Sequence, residues 1–146
     1  MTSLVVDASV CVKWFIPEHL WQPASSLLDE RYDLHAPDLL FPEVGNVLWK
    51  KCLRKELTPT EVLEIVGALK RVPFLTHTAD PLIEAAVAIA LKHNRSVYDS
   101  LYLALAFQLD ARMVTADLRL VNSLRTTELE RHVVWIGDPE EFPGPR

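Results

Sequence analysis

The fold of this chain is decided by two neighbouring stretches, Ser96-Val97-Tyr98-Asp99-Ser100-Leu101-Tyr102-Leu103-Ala104-Leu105-Ala106 and Met113-Val114-Thr115-Ala116-Asp117. The first has the apolar spacing of a mostly buried helix with Ser96 as its N-cap, which puts Asp99 at the third helical position. The second predicts a buried strand that ends on an acid. A helix that leads directly into a parallel strand runs antiparallel to it, so the helix start and the strand end share one edge of the sheet. We therefore expect Asp99 and Asp117 to be neighbours in space.

Further short strands alternate with helices along the chain. Apolar runs at residues 4–6, 34–37, 73–77 and 133–136 predict strands, and residues 10–15 predict the first helix. Asp38 is expected to cap the helix that carries Glu43. This alternation predicts an α/β sandwich with a mainly parallel sheet. The sequence contains neither G-x-G-x-x-G nor G-x-x-x-x-G-K, which excludes the dinucleotide-binding and P-loop classes.

Length and composition indicate a globular domain. The chain has 146 residues, 49% hydrophobic and 24% charged, and we expect residues 1–146 to form a single domain. The longest apolar run, residues 85–91, is too short to span a bilayer, and the N-terminus lacks a signal-type apolar core. Cys11 and Cys52 have neither disulfide nor metal-ligand spacing. These features predict a cytoplasmic protein that does not contact a membrane.

The charge balance limits how the chain could hold a nucleic acid. Its formal net charge is −5, so it has no overall positive field for phosphate groups. Lys50, Lys51 and Arg54 form the densest basic patch, at the end of a predicted helix. The helix dipole is a sufficient structural reason for these charges, and contact with a phosphate backbone is the alternative. A nucleic-acid substrate would need such a local patch together with a divalent metal.

Four acids are predicted to lie on one edge of the sheet. Asp7 and Asp117 follow strand ends, while Glu43 and Asp99 lie in the first turns of helices, and in a parallel α/β sheet these positions all face one side. Each acid alone has a structural explanation, as a helix cap, part of a capping box or a surface acid. Carboxylates brought together repel one another unless a cation or a proton lies between them. The placement of four acids on the same edge therefore predicts a metal site.

The donor set indicates which metal would bind. Oxygen ligands favour hard cations such as Mg²⁺ or Mn²⁺. The histidines show no ligand spacing, which disfavours zinc. A carboxylate site that holds Mg²⁺ or Mn²⁺ suits the cleavage of phosphodiesters, because the metal activates water and stabilises the charge that develops on the phosphate.

Four blocks of sequence carry a resemblance to a known family: Val5-Val6-Asp7-Ala8-Ser9, Pro42-Glu43-Val44, residues 98–106 and Val114-Thr115-Ala116-Asp117. In this order and spacing they resemble the PIN domain, and specifically the VapC-type toxins of bacterial and archaeal toxin–antitoxin pairs. The resemblance extends from residue 4 to about residue 136. Each block alone is weak, whereas the ordered set is specific.

The resemblance implies both structure and activity. It implies a PIN-like three-layer α/β/α sandwich, endoribonuclease activity that depends on Mg²⁺ or Mn²⁺, inhibition by a cognate VapB-like antitoxin, and homodimerisation. The RNA substrate would be cut by hydrolysis at an acidic site. By position, that site corresponds to Asp7, Glu43, Asp99 and Asp117, with Ser9 and Thr115 as supporting polar residues.

Two other functions remain open at this stage. A PIN-like module that binds RNA or a partner without catalysis would keep the same fold. A phospho-acceptor receiver domain also places acids at the carboxyl edge of a parallel sheet, but it needs a lysine just after its last strand. Here residue Ile136 is followed by Gly137-Asp138-Pro139, which argues against a receiver.

Overall fold

A parallel sheet forms the centre of the computed structural model, which describes residues 1–143. Its strands within this range are β1 (Thr2–Val6), β2 (Tyr32–Pro37), β3 (Leu75–His77), β4 (Arg112–Thr115) and β5 (Val133–Trp135). They lie in the order β3-β2-β1-β4-β5, and each neighbouring pair is parallel. The predicted α/β class with a mainly parallel sheet is confirmed. The prediction of one domain over residues 1–146 includes residues 144–146, which lie outside the described range, and it stays a prediction.

Helices connect the strands and cover the sheet. They are α1 (Ala8–Cys11), α2 (Trp21–Ser26), α3 (Leu40–Leu53), α4 (Pro59–Lys70), α5 (Ile83–His93), α6 (Val97–Gln108) and α7 (Leu118–Ser123), with 3₁₀ turns at Val12–Trp14, Asp80–Leu82 and Glu130–His132. The chain moves from β1 through β2 to β3 in one direction across the sheet, and then back past β1 to β4 and β5. Because parallel crossovers are right-handed, this reversal puts α1–α4 on one face and α5–α7 on the other.

Helix α6 has the longest run of buried residues among the helices of the described chain. Every residue from Ser100 to Ala106 is buried, and the helix packs on β1, β2, β4 and α5. A helix that is apolar all round belongs in a core. The first turn of α6 is therefore fixed relative to the carboxyl ends of β1 and β4. Among the described residues, no helix is both long and apolar enough to cross a membrane.

The starts of two helices differ from the sequence predictions. Helix α1 begins at Ala8, directly after β1, because the side chain of Asp7 caps it by accepting a hydrogen bond from the backbone N–H of Val10. Asp38 does not cap α3, which begins at Leu40 without a side-chain cap. The backbone N–H of Asp38 instead donates to the carbonyl of His77, which extends the pairing of β2 with β3 by one residue.

The N-cap of α6 offers a test of how the start of this helix is held. The hydroxyl of Ser96 accepts from the backbone N–H of Asp99 at 3.0 Å. We expect Ser96→Ala to lower the free energy of unfolding by about 1 kcal/mol, the usual effect of losing an N-cap. Urea unfolding would measure it. Ser96→Thr keeps a capping hydroxyl and should recover most of the loss; equal effects of the two substitutions would contradict a capping role.

Candidate active site

The candidate site lies where the strand order reverses. β1 is central, and the chain leaves it towards β2 on one side and returns to β4 on the other. Ligand crevices of open α/β sheets form at the carboxyl ends of strands at such a reversal. Asp7 directly follows β1, and Asp117 lies two residues beyond β4. The two acids therefore flank the crevice between adjacent strands.

Asp7 is held by hydrogen bonds at the bottom of this crevice. Its Oδ1 accepts from the hydroxyl of Ser9 at 2.6 Å and from the backbone N–H of Val10 at 3.2 Å. The same Ser9 hydroxyl accepts from the backbone N–H of Ala116 at 3.0 Å. Ser9 thereby links the residue after β1 to the loop after β4, and its role as a supporting polar residue of the site stays a prediction.

Asp7 is buried, with 9% of its surface exposed. Burial raises the pKa of Asp7 from 3.8 to about 6, because its hydrogen bonds to Ser9, Thr115 and Val10 only partly offset the desolvation of the charge; the nearby Asp99 raises it further. An acid in this state binds a proton or a cation more readily than an exposed aspartate does.

Asp99 is coupled through its charge to the other acids of the group. It is the third residue of α6, as predicted, and burial is the main reason that its pKa is raised. The guanidinium of Arg95 opposes this shift, and the charge of Asp117 adds to it. Asp99 also raises the pKa values of Asp7 and Glu43, after the larger effect of burial on each. Each of the other three acids is thus coupled electrostatically to Asp99.

Glu43 is not a solvated surface acid. It lies in the first turn of α3, and its Oε1 accepts a hydrogen bond of 2.7 Å from the hydroxyl of Tyr102. Burial raises the pKa of Glu43, the bond from Tyr102 opposes the shift, and Asp99 adds to it. Burial also raises the pKa of Tyr102 well above its ordinary range, so the phenol remains a neutral donor. Tyr102 connects α6 to α3 one helical turn after Asp99.

Asp117 is the exposed member of the group. Its Oδ1 accepts from the backbone N–H of Leu120 at 3.2 Å and so caps α7, while its own N–H donates to the hydroxyl of Thr115 at 3.1 Å. Thr115 is fully buried at the end of β4. The acidic crevice therefore opens to solvent at Asp117.

The four acids share one edge, but they do not form a closed cage. Among residues 1–143, no three His, Cys, Asp or Glu side chains are close enough together to hold a metal ion by themselves. Mg²⁺ does not need such a cage, since it keeps several waters and is commonly bound by one or two carboxylates. The oxygen donors and the mutual repulsion centred on Asp99 fit a hard divalent cation.

Two neighbours of this site were not predicted from the sequence. Arg95 lies one turn before Asp99, with Nη2 at 3.8 Å from Oδ2, and its Nε is buried without a hydrogen-bond partner in the described structure. Tyr102 lies within residues 98–106, one of the four blocks that resemble the PIN domain, but the sequence alone does not assign it a role. Its i,i+3 spacing from Asp99 on a helix was the available signal, because residues three apart lie on the same face.

The predicted basic patch lies beside the acids. Lys50, Lys51 and Arg54 line a cavity of about 330 Å³ whose wall also includes Ser9 and Ala116. The cavity therefore shares a wall with the hydrogen-bonded residues around Asp7. This position favours a functional reading of the patch over the helix dipole alone.

Comparison with known proteins identifies the family. The PIN domain family model matches residues 4–122, a range that contains all four acids. The chain belongs to the PIN-domain family. Ribonuclease VapC3 of Pyrobaculum aerophilum is 34% identical over 125 residues, which cover 81% of this chain and 92% of that relative. The predicted membership among VapC-type PIN domains is confirmed.

Solved structures share the fold of this PIN domain. The protein PAE2754 from Pyrobaculum aerophilum matches with a TM-score of 0.70 at 20% identity, over 92% of this chain and 84% of that one. A toxin–antitoxin complex from Klebsiella pneumoniae contains a chain that matches with a TM-score of 0.63 at 15% identity, over 90% and 95%. At these identities the likeness establishes the fold alone. It confirms the predicted PIN-like sandwich, and family membership removes the receiver-type alternative.

The raised pKa of Asp7 predicts a pH-dependent effect on stability. A folded-state pKa of about 6, above the ordinary 3.8, favours folding at low pH, and this contribution is lost as pH rises through 6. Asp7→Asn keeps an acceptor for Ser9 and Val10 without the charge. In EDTA at pH 7.5 we expect it to raise the free energy of unfolding by up to about 3 kcal/mol, and by almost nothing below pH 3.8.

Urea unfolding at both pH values measures this difference. The control is Asp110→Asn, at an exposed aspartate in the turn after α6. Because its ion pair with Arg131 is exposed, we expect this change to alter the free energy of unfolding by less than about 1 kcal/mol at either pH. The raised pKa of Asp7 would be contradicted if Asp7→Asn stabilised the protein equally at both pH values, or did not stabilise it at pH 7.5.

Proposed function

We propose that this chain is the endoribonuclease toxin of a VapBC-like toxin–antitoxin pair, and that it hydrolyses RNA phosphodiesters at the site formed by Asp7, Glu43, Asp99 and Asp117. The observation that carries the proposal is the coupling of the other three acids to Asp99 at the reversal point of a PIN fold. The name of the relative, ribonuclease VapC3, agrees with this chemistry.

The proposed cofactor is Mg²⁺ or Mn²⁺, held by Asp7, Asp99 and Asp117, in part through the ion's own waters, with Glu43 as a ligand or a water-orienting group. When bound, such an ion neutralises charge on the phosphate and makes water a better nucleophile. The protein's own residues prepare this chemistry. Ser9 holds the Asp7 carboxylate in one orientation, and Tyr102 does the same for Glu43. No 2′-hydroxyl nucleophile is required, so the products should carry 5′-phosphates.

The proposed partners follow from the family. A VapB-like antitoxin would inhibit the toxin, as the toxin–antitoxin complex with the same fold suggests. Homodimerisation remains a prediction. For that contact, α5 offers exposed apolar side chains at every fourth position: Ile83, Val87 and Leu91. We also propose a cytoplasmic location, where RNA is available as a substrate.

Cleavage of RNA by antitoxin-free protein tests the proposal. We expect structured RNAs, including tRNA, to be cut in Mg²⁺ or Mn²⁺ and to stay intact in EDTA. Asp99→Asn should lower the rate by about 100-fold or more, since it removes the central carboxylate of the site. Gel assays with end-labelled RNA measure both the rate and the product ends.

The control for this assay is Asp110→Asn, the same change at an exposed aspartate beyond the opposite end of α6. It should cleave at the wild-type rate. Cleavage that persists in EDTA, or that survives Asp99→Asn, would exclude the mechanism. Binding of RNA without any cleavage would favour the non-catalytic module instead.

Arg95 offers a test that does not depend on turnover. Its guanidinium partly neutralises Asp99 and so competes with any cation at the same carboxylate. We expect Arg95→Gln to tighten the binding of Mn²⁺ by about two- to fivefold, the effect of one partly exposed ion pair. Calorimetric titration measures it, with Arg112→Gln as the control because Arg112 pairs with Glu141. Weaker binding after Arg95→Gln would show that the acids are not the metal site.

A further inference from the structure

A cavity next to the acidic crevice carries an unusual set of charges. Four basic side chains and one acid line it, in a chain whose formal net charge is −5. The basic residues are Lys13, which belongs to the 3₁₀ turn after α1, and Lys50, Lys51 and Arg54 at the end of α3. The single acid is Glu18. The cavity wall therefore has an excess of three positive charges.

Two of these lysines are held in place by the one acid. Nζ of Lys13 lies 3.2 Å from Oε1 of Glu18, and Nζ of Lys51 lies 3.3 Å from Oε2. The lysine side chains are only 10% and 17% exposed. Lysines on an ordinary surface extend their ammonium groups into water. Here Glu18 gathers two ammonium groups from distant parts of the sequence into one sheltered position.

The triad of Lys13, Glu18 and Lys51 is not electrically balanced. One carboxylate can neutralise one ammonium group, and withdrawing a second from water costs free energy unless another anion is present. The helix dipole explains basic residues at the end of α3. It does not explain Lys13, which comes from another element and is the less exposed of the two lysines. The triad has the composition of a site prepared for an incoming anion.

The rest of the wall indicates the kind of anion. Val47 supplies most of the apolar surface, because Val12 is only 2% exposed. The volume of about 330 Å³ lies at the lower end of the range for small-molecule sites. Ser9, which also lines the cavity, donates a hydrogen bond to Asp7. A ligand with an anionic group and a flat apolar face, placed next to Asp7, fits these features. A nucleotide within an RNA strand has both parts.

We infer that this cavity is the subsite for a nucleotide that flanks the scissile phosphodiester, with its phosphate between Lys13 and Lys51 and its base against Val47. The inference rests on the proposed ribonuclease function. An RNA strand with one phosphodiester at Asp7 and Asp99 must continue past one side of the crevice, and the cavity provides positive charge on the side of Ser9. An acidic peptide would also match the charge, but the shared wall with Ser9, which bonds Asp7, favours a nucleotide of the strand whose phosphodiester lies at the acids.

Binding of RNA in the absence of cleavage tests this subsite. In the Asp99→Asn background with Mg²⁺, fluorescence anisotropy with a labelled single-stranded RNA oligonucleotide gives the affinity. We expect Lys13→Gln with Lys51→Gln to weaken binding by about tenfold or more, as for lost hydrogen bonds to a charged group. The slope of log K against log salt concentration should become shallower by about 1.4, the value for two lost contacts on a single strand.

The matched control is Lys70→Gln with Lys92→Gln, which makes the same change in net charge outside the cavity. An equal loss in both double variants would overturn the subsite, because only net charge would then matter. Lys50→Gln with Arg54→Gln changes exposed residues of the same cavity, and we expect it to weaken RNA binding as well. This variant decides the question if the first one unfolds below the assay temperature.

Two further measurements separate the remaining outcomes. A glutamate-rich octapeptide is the probe for an acidic protein segment; if it loses affinity in the cavity variants while RNA does not, the cavity is a protein-binding site and the inference is wrong. Cleavage of RNA by the protein with Asp99 intact is measured in parallel. If that protein cleaves RNA and the cavity variants bind RNA normally, only the subsite fails. If it neither cleaves nor binds RNA, the proposed function fails too.

Discussion

The parallel pairing of β1 with β4 at the centre of the sheet is the constraint on which the rest of this PIN domain depends. Since the chain leaves β1 towards one edge and returns to β4 on the other side, the crevice between their carboxyl ends is left uncovered by a crossover. The hydroxyl of Ser9 bonds across this junction, to the carboxylate of Asp7 on one side and to the N–H of Ala116 on the other. Acids from four separate segments lie along that edge because the topology brings their segments to it.

Such a site opposes the stability of the fold. Burial raises the pKa values of Asp7, Glu43 and Asp99, and the charge of one acid adds to the cost of ionising the next. In the absence of a cation, the protein relieves this repulsion with hydrogen-bond donors and with Arg95. A divalent cation would remove much of the remaining cost and would stabilise the folded state by mass action. The repulsion between the acids thus lowers the stability of the folded state and at the same time favours the binding of cations.

The sequence predicted the features that depend on local pattern. The Ser96 cap, the α6 helix and the strand ends next to Asp7 and Asp117 follow from periodicity and capping, and parallel topology alone places the acids at one edge. Asp38 was wrong as a cap because its backbone is used in the pairing of β2 with β3, which no local pattern reveals. Local pattern also does not reveal which side chains pair across the fold. The bond of Tyr102 to Glu43, and the two ion pairs that Glu18 makes with Lys13 and Lys51, were therefore not predicted. Two of these three contacts join residues more than 30 positions apart.

Acidic and basic side chains form separate groups within this small domain. Ser9 bonds one of the acids, Asp7, and also lines the cavity of the lysines around Glu18, so a polyanion would meet repulsion and attraction within one short stretch. A chain with net charge −5 has little general attraction for nucleic acid. A strand would be held only where its phosphates match the lysines, and it could approach the acids only when a cation is present. Under the proposed function, the basic cavity would determine where the strand lies, and the acidic crevice would determine whether its phosphodiester can be cut.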